Sequence, residues 1–543
     1  MRITFVGISS EQLGVSMMSS LAKLAGHDVR LAFSASLFND RQHLTATSLI
    51  SSLFDDSDIV LKTIKEQMPD VIAFSPVSGI YQWSLSIAER AKAICPDARI
   101  VFGGIHATAV PESVLAKPFV DFVCVGEGDV SFPAILKAIE KGEISRPIAN
   151  THFKLPNGEV VKGPQVEFIQ DLDSLPIYDK TIWEEHIRYG DTYITMVSRG
   201  CPYRCTFCFN SFVAQLPERP RGKYVRYRSV DHVMHELREA KRRYRFKMVE
   251  FFDDIFTLDK EWLKEFLPRY KKEIGVCYQI FTHIKFIDDD VARLLADSGC
   301  RTAEIGLQTV DDEYKRKRLN RYETSEQAAK ALAIMKKYGI HVKFDHMLGL
   351  PGESVEMQEK ARQFYVEHTP YRIMAYWTNF FPGTKMLQDA IEAGILTPED
   401  VRMINEGKCF DSFTVANRYI DSGKNKTYKI YETIFTLLPG LPPSLRKRVT
   451  PGLFKWMPAW LLSMLTLGAH IVIGIVRRDP DPFYYFTFYA HHVWRIILLR
   501  LGIKPPLATR IVDSGPIQLK APKKMGTKSI DQTVSARRSA VLT

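Results

Sequence analysis

Over residues 1–145 short apolar runs alternate with stretches whose apolar residues recur at helical spacing. Strands are predicted at Arg2–Val6, Val29–Phe33, Asp70–Phe74, Arg99–Phe102 and Asp121–Val125, and helices over Leu13–Ala25 and Ser84–Ile94. This alternation predicts an α/β unit, a doubly wound parallel sheet wrapped by helices. Turn residues stand where the strands end: Ser75-Pro76, Gly103-Gly104-Ile105-His106 and Gly126-Glu127-Gly128. The carboxyl edge of an open parallel sheet is where ligands bind.

Residues 146–188 break the pattern; Pro156-Asn157-Gly158 predicts a hairpin and Leu172–Asp179 an extended connector. Between 189 and 400 the alternation resumes, with strands at Tyr193–Val197, Met248–Phe252, Val276–Phe281, Thr302–Gly306, His341–Leu348 and Ile373–Thr378. Six such units predict a partial (β/α)6 TIM-type barrel, although periodicity does not by itself separate this from a second flat sheet. Residues 401–506 are predicted to be a helical C-terminal region, and the polar, aperiodic residues 507–543 a disordered tail. Within the helical region Ala459–Val476 is interrupted only by Ser463, Thr466 and His470 and reaches the length of a membrane-spanning helix. Arg446-Lys447-Arg448, Lys455 and Arg477-Arg478 flank it, with Trp456, Trp460, Phe483, Tyr484, Tyr485 and Trp494 nearby. Asp479-Pro480-Asp481-Pro482 then turns the chain toward a second apolar segment, Val493–Leu501, so a membrane-surface element is expected; a buried hairpin and a true span are the alternatives.

Composition, at 45% apolar and 25% charged over 543 residues, is that of a multidomain globular chain and excludes a disordered or collagen-like bulk. The net charge of +11 favours an acidic partner without choosing among phosphate-bearing ligands, nucleic acid and anionic lipid. The basic stretches Arg219–Arg228 and Lys241–Arg245 come with no recognisable nucleic-acid module and read as solvated faces, so no nucleic acid is expected. Met1-Arg2-Ile3-Thr4-Phe5-Val6 reads as a strand and not as a secretory signal. Five of the eight cysteines, Cys95, Cys124, Cys277, Cys300 and Cys409, are scattered, which suits a cytoplasmic chain better than a disulfide framework.

The other three crowd into Cys201-Pro202-Tyr203-Arg204-Cys205-Thr206-Phe207-Cys208, directly after a strand and Ser198-Arg199-Gly200. Cubane clusters are usually held by four thiolates, so three would leave one iron open to a substrate. An open position is what separates catalytic from structural metal sites. Zinc would want a fourth Cys or His at short spacing, and none follows before His232. A fourth thiolate from Cys277 or Cys300 would instead close the cluster into an electron-transfer centre, and three unliganded thiols are the plainest alternative.

This C-x3-C-x2-C run after the first barrel strand resembles the radical S-adenosylmethionine (SAM) superfamily. The resemblance implies a 4Fe-4S cluster on Cys201, Cys205 and Cys208, an open iron chelated by SAM, and reductive cleavage of SAM to methionine and a 5′-deoxyadenosyl radical. It places Phe207 near the adenine. It also places Glu304, Gly306 and Gln308, with Gly349, Pro351 and Gly352 of Gly349-Leu350-Pro351-Gly352-Glu353, along SAM's methionine and ribose. For these glycines a turn alone is the competing explanation. Glu250-Phe251-Phe252-Asp253-Asp254 ends the second strand with two carboxylates, Asp253 and Asp254, expected to be catalytic, with helix N-capping as the alternative.

The unit ahead of the barrel is similar to the cobalamin-binding domain of cobalamin-dependent radical SAM enzymes, which implies cobalamin along Ser75, Gly103, Gly104, His106, Gly126, Glu127 and Gly128. Proteins that ligate cobalt through histidine carry D-x-H-x-x-G after the first strand. Here, with Gly14 as the last glycine, Ser9 and Glu11 take the Asp and His positions, so that ligand is missing. The Gly-Gly-Ile-His-Ala-Thr segment is also similar to the anaerobic magnesium-protoporphyrin monomethyl ester cyclases. The resemblance implies an enzyme acting on a carbon centre by C-methylation, and the membrane-seeking tail suits an apolar, lipid- or isoprenoid-like substrate such as a hopanoid. Oxidative cyclisation, and a non-enzymatic sensor or electron carrier, are the alternatives. The expected partners are that small molecule, a reductant such as flavodoxin or ferredoxin, and the cytoplasmic membrane surface.

Overall fold

The computed structural model describes residues 1–38, 48–155, 157–216, 222–408, 422–477 and 479–520. The front sheet contains β1 (Arg2–Ile8), β2 (Asp28–Ser34), β3 (Val71–Phe74), β4 (Arg99–Phe102), β5 (Phe122–Cys124), β6 (Thr151–Lys154) and β7 (Val160–Lys162), in the order β2-β1-β3-β4-β5-β6-β7. β1 to β5 run parallel and β6 and β7 antiparallel. β1 and β3 are buried almost throughout because helices, among them α1 (Leu13–Leu24) and α2 (Gly128–Lys141), cover the sheet. The hairpin predicted near 156–158, of which Pro156 lies outside the described residues, forms β6 and β7. It extends the front sheet through the Phe122–Phe153 cross-strand pair, ring centroids 5.6 Å apart. The front unit therefore runs past residue 145, to Lys162, and the connector is shorter than expected.

A second sheet is all parallel, in the order β15-β14-β13-β12-β11-β8, from β8 (Thr192–Thr195), β11 (Met248–Phe251), β12 (Cys277–Thr282), β13 (Cys300–Gln308), β14 (His341–Leu348) and β15 (Arg372–Trp377). A short antiparallel pair, β9 (Ser198–Arg199) with β10 (Arg226–Tyr227), follows β8. Each barrel strand turns one set of side chains into the helical layer, burying Tyr278, Ile280, Ala303, Ile305, Val342 and Phe344. The alternate positions are polar: Glu250 pairs in register with Gln279, and Glu304 with Lys343. A barrel lined this way has an interior that can take polar ligands.

The connector joins the two units. Trp183 is fully buried and donates to Ser16 Oγ of α1 at 2.9 Å, while Asp179 accepts from Ser19 Oγ at 2.6 Å. Lys180 and Glu11, each only 1% exposed, form an ion pair, so the residue at the missing histidine's position is spent on the connector.

Residues 507–520, expected to be disordered, are ordered. They strap the connector to α3 (Val230–Tyr244): Thr509 N donates to Glu184 O, Val512 N to Arg243 O, and Ile177 N to Leu519 O. An extended strap needs no apolar period, which is why its polar sequence concealed it. Residues 521–543 lie outside the described set.

The C-terminal region contributes α4 (Ser422–Leu437), α5 (Ala459–Arg477) and α6 (Pro480–Arg500). α5 packs on α4 through Leu462, Thr466, Ala469 and Ile473. The buried Asp479 between α5 and α6 receives Arg372 Nε at 2.9 Å at the start of β15. α6 then crosses to the front unit, where His492 packs against Phe33 and Arg500 donates to the Leu53 and Asp55 carbonyls. The helix pair is thus neither a free span nor a wholly buried hairpin: one face is packed and the other is open.

Candidate functional site

The cysteine segment follows the carboxyl end of β8 and is held from two sides. From the barrel, Asp253, 1% exposed, accepts from Val197 N at 3.1 Å, Ser198 N at 2.6 Å and the Ser198 hydroxyl. From the front unit, Asp129 receives Arg199 at 2.6 and 3.2 Å, and Glu127 receives Arg199 at 3.3 Å and Arg226 at 3.0 Å. Gly200 takes φ +87° with Tyr224 O where a Cβ would stand, 2.4 Å away, so only glycine lets the chain turn into Cys201.

These contacts revise two readings of the sequence. Asp253 braces the segment before the cysteines and caps no helix; the cap of the following helix is Asp259. Glu127 links the units through arginines. Asp254 is exposed, accepts from Asn210 Nδ2 at 2.6 Å, and lies close enough to Cys201 and Cys208 to disfavour their thiolates.

Burial pushes the Cys201 thiol up to about 12 and Cys208 to about 11, and raises Cys205, which Arg321 partly offsets. Such thiols ionise only against a cation, which is the chemistry of an iron ligand. Cys277 and Cys300 open β12 and β13 at the amino end of the barrel, opposite the cysteine segment, with sulfurs turned to Lys247 O and Thr302 O. Neither is placed to supply a fourth thiolate; Cys409 lies outside the described residues. The donor set fits a cluster held at three corners.

A buried network backs the loop. Arg321 donates to Glu323 at 2.6 Å and to Gly306 O at 2.6 Å; Glu323 reaches His283 at 3.5 Å; and the His283 ring stacks on Tyr203 at 4.4 Å. Arg321, Glu323 and His283 were not singled out from the sequence. Gly306 leaves room for Gln308, whose Nε2 would lie 2.5 Å from a Cβ there, and Gln308 itself takes φ +66°. A left-handed glutamine at a strand end is strain of the kind found at ligand sites. Phe207 packs toward Leu319 and Leu350. Burial, and after it the neighbouring Glu304, raise the Asp345 carboxyl well above its ordinary range.

The loop Gly349-Leu350-Pro351-Gly352 is shaped by its own glutamate. Glu353 accepts from Gly349 N at 2.7 Å, Leu350 N at 3.3 Å and Gln358 Nε2 at 2.6 Å, and Tyr314 OH donates to Pro351 O at 2.6 Å. Burial outweighs these donors and lifts the Glu353 carboxyl to about 8. A carboxyl raised on folding contributes stability that is full below the unfolded value of about 4.3 and is lost as pH rises through the folded one. Glu353→Gln is expected to remove that part of the fall in apoprotein Tm between about pH 5 and pH 9, as read by thermal unfolding.

At the front sheet's carboxyl edge Gly104 takes φ +79° with Ser75 Oγ 2.8 Å from where a Cβ would stand, Gly103 precedes it, and Gly126 takes φ +84° with Leu216 4.0 Å from where a Cβ would stand. A Cβ on Gly128 would come within 2.9 Å of the Met18 sulfur. Val77 and Ile105 are exposed just after β3 and β4, and Ser9 Oγ, Glu11 Oε2 and Gln12 Oε1 after β1 are buried without a hydrogen-bond partner among the described residues. A close-packed glycine edge with open apolar residues and unfinished polar groups fits a flat macrocycle with a polar periphery. His106 does not face it. His106 is buried, hydrogen-bonds Ser78 Oγ at 2.9 Å and packs on Tyr81 at 4.0 Å, and burial lowers it to about 4.

A corrin-type α/β unit clamped onto a partial barrel whose first strand runs into three thiols defines a cobalamin-dependent radical SAM enzyme. Residues 195–365 match the Radical SAM superfamily and residues 6–136 the B12 binding domain, and the chain belongs to that superfamily. It is 28% identical over 393 residues to an uncharacterized methyltransferase of Pyrococcus horikoshii, covering 70% of this chain and 82% of that one. It is 24% identical over 415 residues to the hopanoid C-3 methylase of Methylococcus capsulatus, covering 74% and 72%. In fold it is similar to the cobalamin-dependent SAM radical enzyme OxsB, with a TM-score of 0.61 and 14% identity over 92% of this chain and 75% of that one. Its cofactors are a 4Fe-4S cluster, SAM and cobalamin.

Proposed function

We propose that the enzyme methylates a carbon centre of an apolar, lipid-like substrate. Cys201, Cys205 and Cys208 would hold the cluster; Gly306, Gln308 and the Gly349–Gly352 loop would border SAM; and Ser75, Gly103, Gly104 and Gly126 would seat the corrin. When bound, these groups supply a 5′-deoxyadenosyl radical and a methyl donor. The protein's own part is positional. Arg199 stands two residues before Cys201 and is bonded to Asp129 and Glu127, so one arginine fixes the cysteine segment against the loop at the corrin edge. That link is the observation that carries the reading, since methyl transfer needs both centres to reach one substrate atom. Asp253 keeps the segment in place by accepting from Val197 N and Ser198 N.

Two relatives described as a methyltransferase and a hopanoid methylase support methylation and an apolar substrate. The deciding experiment supplies methyl-labelled SAM, a reductant and candidate isoprenoids to the reconstituted enzyme. Label in the product is expected; unlabelled, cyclised or oxidised product would overturn methylation in favour of ring formation.

A membrane surface is the partner proposed for the helix pair. Trp460, Met464, Gly468, Ile471, Val472 and Ile475 form an open, uncharged stripe on α5, and Phe486, Ala490, Trp494 and Ile497 one on α6, with Leu501 just beyond it. By length and composition α5 could also cross a bilayer. No acidic residue stands between Glu432 and Asp479, whereas Lys447, Arg448 and Lys455 are exposed beside the stripe. Full-length protein is expected to float with phosphatidylglycerol-containing vesicles and not with pure phosphatidylcholine, and to lose binding when Trp460, Phe486 and Trp494 are changed to serine. Equal flotation of that variant would contradict the assignment.

A further inference from the structure

We infer that the segment Lys315–Leu319, with Arg204, is the docking surface for an acidic one-electron carrier protein that reduces the cluster. The segment is a π-helical turn between β13 and the helix Ser325–Lys337, and it is welded to the cysteine segment by three hydrogen bonds. Leu319 O accepts from Thr206 N at 3.2 Å, Arg318 O from Thr206 Oγ1 at 2.8 Å, and Arg204 O from Asn320 Nδ2 at 2.8 Å. Thr206 lies between Cys205 and Cys208, so this surface is the outer wall of the cluster site.

Its charges are arranged unevenly. Arg204, Arg316 and Arg318 are exposed and form no ion pair among the described residues. The neighbouring carboxylates are already occupied: Asp311 by Lys360 at 3.0 Å, Asp312 by the buried Lys315 at 3.0 Å, and Glu313 by Lys317 at 2.6 Å. Three exposed guanidinium groups without an ion pair among the described residues, beside the cysteine segment, favour an anionic partner and speed its encounter. Tyr322, 60% exposed beside them, offers a flat apolar contact. By contrast, the basic end of α3 is mostly paired, Arg238 with Glu273 and Arg242 with Glu239 and Asp513, and it lies at the amino end of the barrel, away from the thiols. In the step, the reduced carrier loses one electron and the cluster gains one; no atom is transferred.

The inference rests on the cluster assignment above, and the test separates the two. Reconstituted holoenzyme is mixed anaerobically with SAM and reduced flavodoxin, or with dithionite, and bleaching of the cluster absorbance is followed. The combined R204E, R316E and R318E variant is expected to accept electrons from flavodoxin about tenfold more slowly at low salt, with dithionite reduction unchanged and the salt dependence flattened. The bonds holding the segment use main-chain oxygens, so these changes leave them in place. R245E, at the far end of the barrel, is expected to behave as wild type. Wild-type rates with flavodoxin in the combined variant, or an equal loss in R245E, would overturn the docking site. Should the combined variant lose its cluster, R316E alone decides: about threefold slowing supports the site and no change refutes it. A wild-type protein that dithionite does not bleach would instead refute the cluster.

Discussion

Single Cys201→Ala, Cys205→Ala and Cys208→Ala variants are each expected to lose the cluster and to reduce SAM cleavage by on the order of 10³-fold or more. The three thiols lie in one loop at the carboxyl end of β8 and are partly exposed, so the fold is expected to survive with a Tm within about 4 °C of wild type. Iron content and 5′-deoxyadenosine formation would both fall while circular dichroism stays the same. Cys277→Ala and Cys300→Ala are the informative controls. Their sulfurs sit at the amino ends of β12 and β13, so both variants are expected to keep the cluster. Loss of the cluster in either would revive a closed, four-thiolate centre.

Asp253→Ala is expected to cost on the order of 3 kcal/mol of stability and most of the cluster as well. Its carboxylate meets two main-chain N–H groups and the Ser198 hydroxyl in a site closed to water, so truncation strands all three donors. Burial raises Asp253 to about 6, so it is chiefly ionised at neutral pH. Asp253→Asn keeps one accepting oxygen but turns an amide N–H toward donors, and is expected to fall between alanine and wild type. Denaturant unfolding and iron per chain measure the two effects. Asp254→Asn, at an exposed residue, is expected to unfold like wild type; a fall in turnover in this variant alone would identify it as the carboxylate that acts on the substrate.

The strand and helix pattern, and with it both units, was legible in the sequence because parallel strands read as apolar runs and the turn residues fall at strand ends. The cysteine spacing and the glycine loops were legible for the same local reason. What the sequence did not disclose depends on distant partners. Arg199 and Arg226 lie 72 and 99 positions from Glu127, and nothing local marks the three as one link. Arg321, Glu323 and His283 likewise meet only after β12 and β13 pair. The strap at 507–520 and the hairpin joined to the front sheet were misjudged because an extended edge segment has no period of its own. The family resemblance placed His106 along the corrin, and only the packing of Tyr81 and Ser78 shows it turned inward.

The most direct test of the vacant iron corner is electron paramagnetic resonance of the reduced, reconstituted enzyme, with about four iron atoms per chain, before and after SAM is added. A spectrum that shifts on SAM addition, with 5′-deoxyadenosine formed on turnover, is the expected result. An unchanged spectrum from a fully loaded cluster would mean that a protein ligand already occupies that corner.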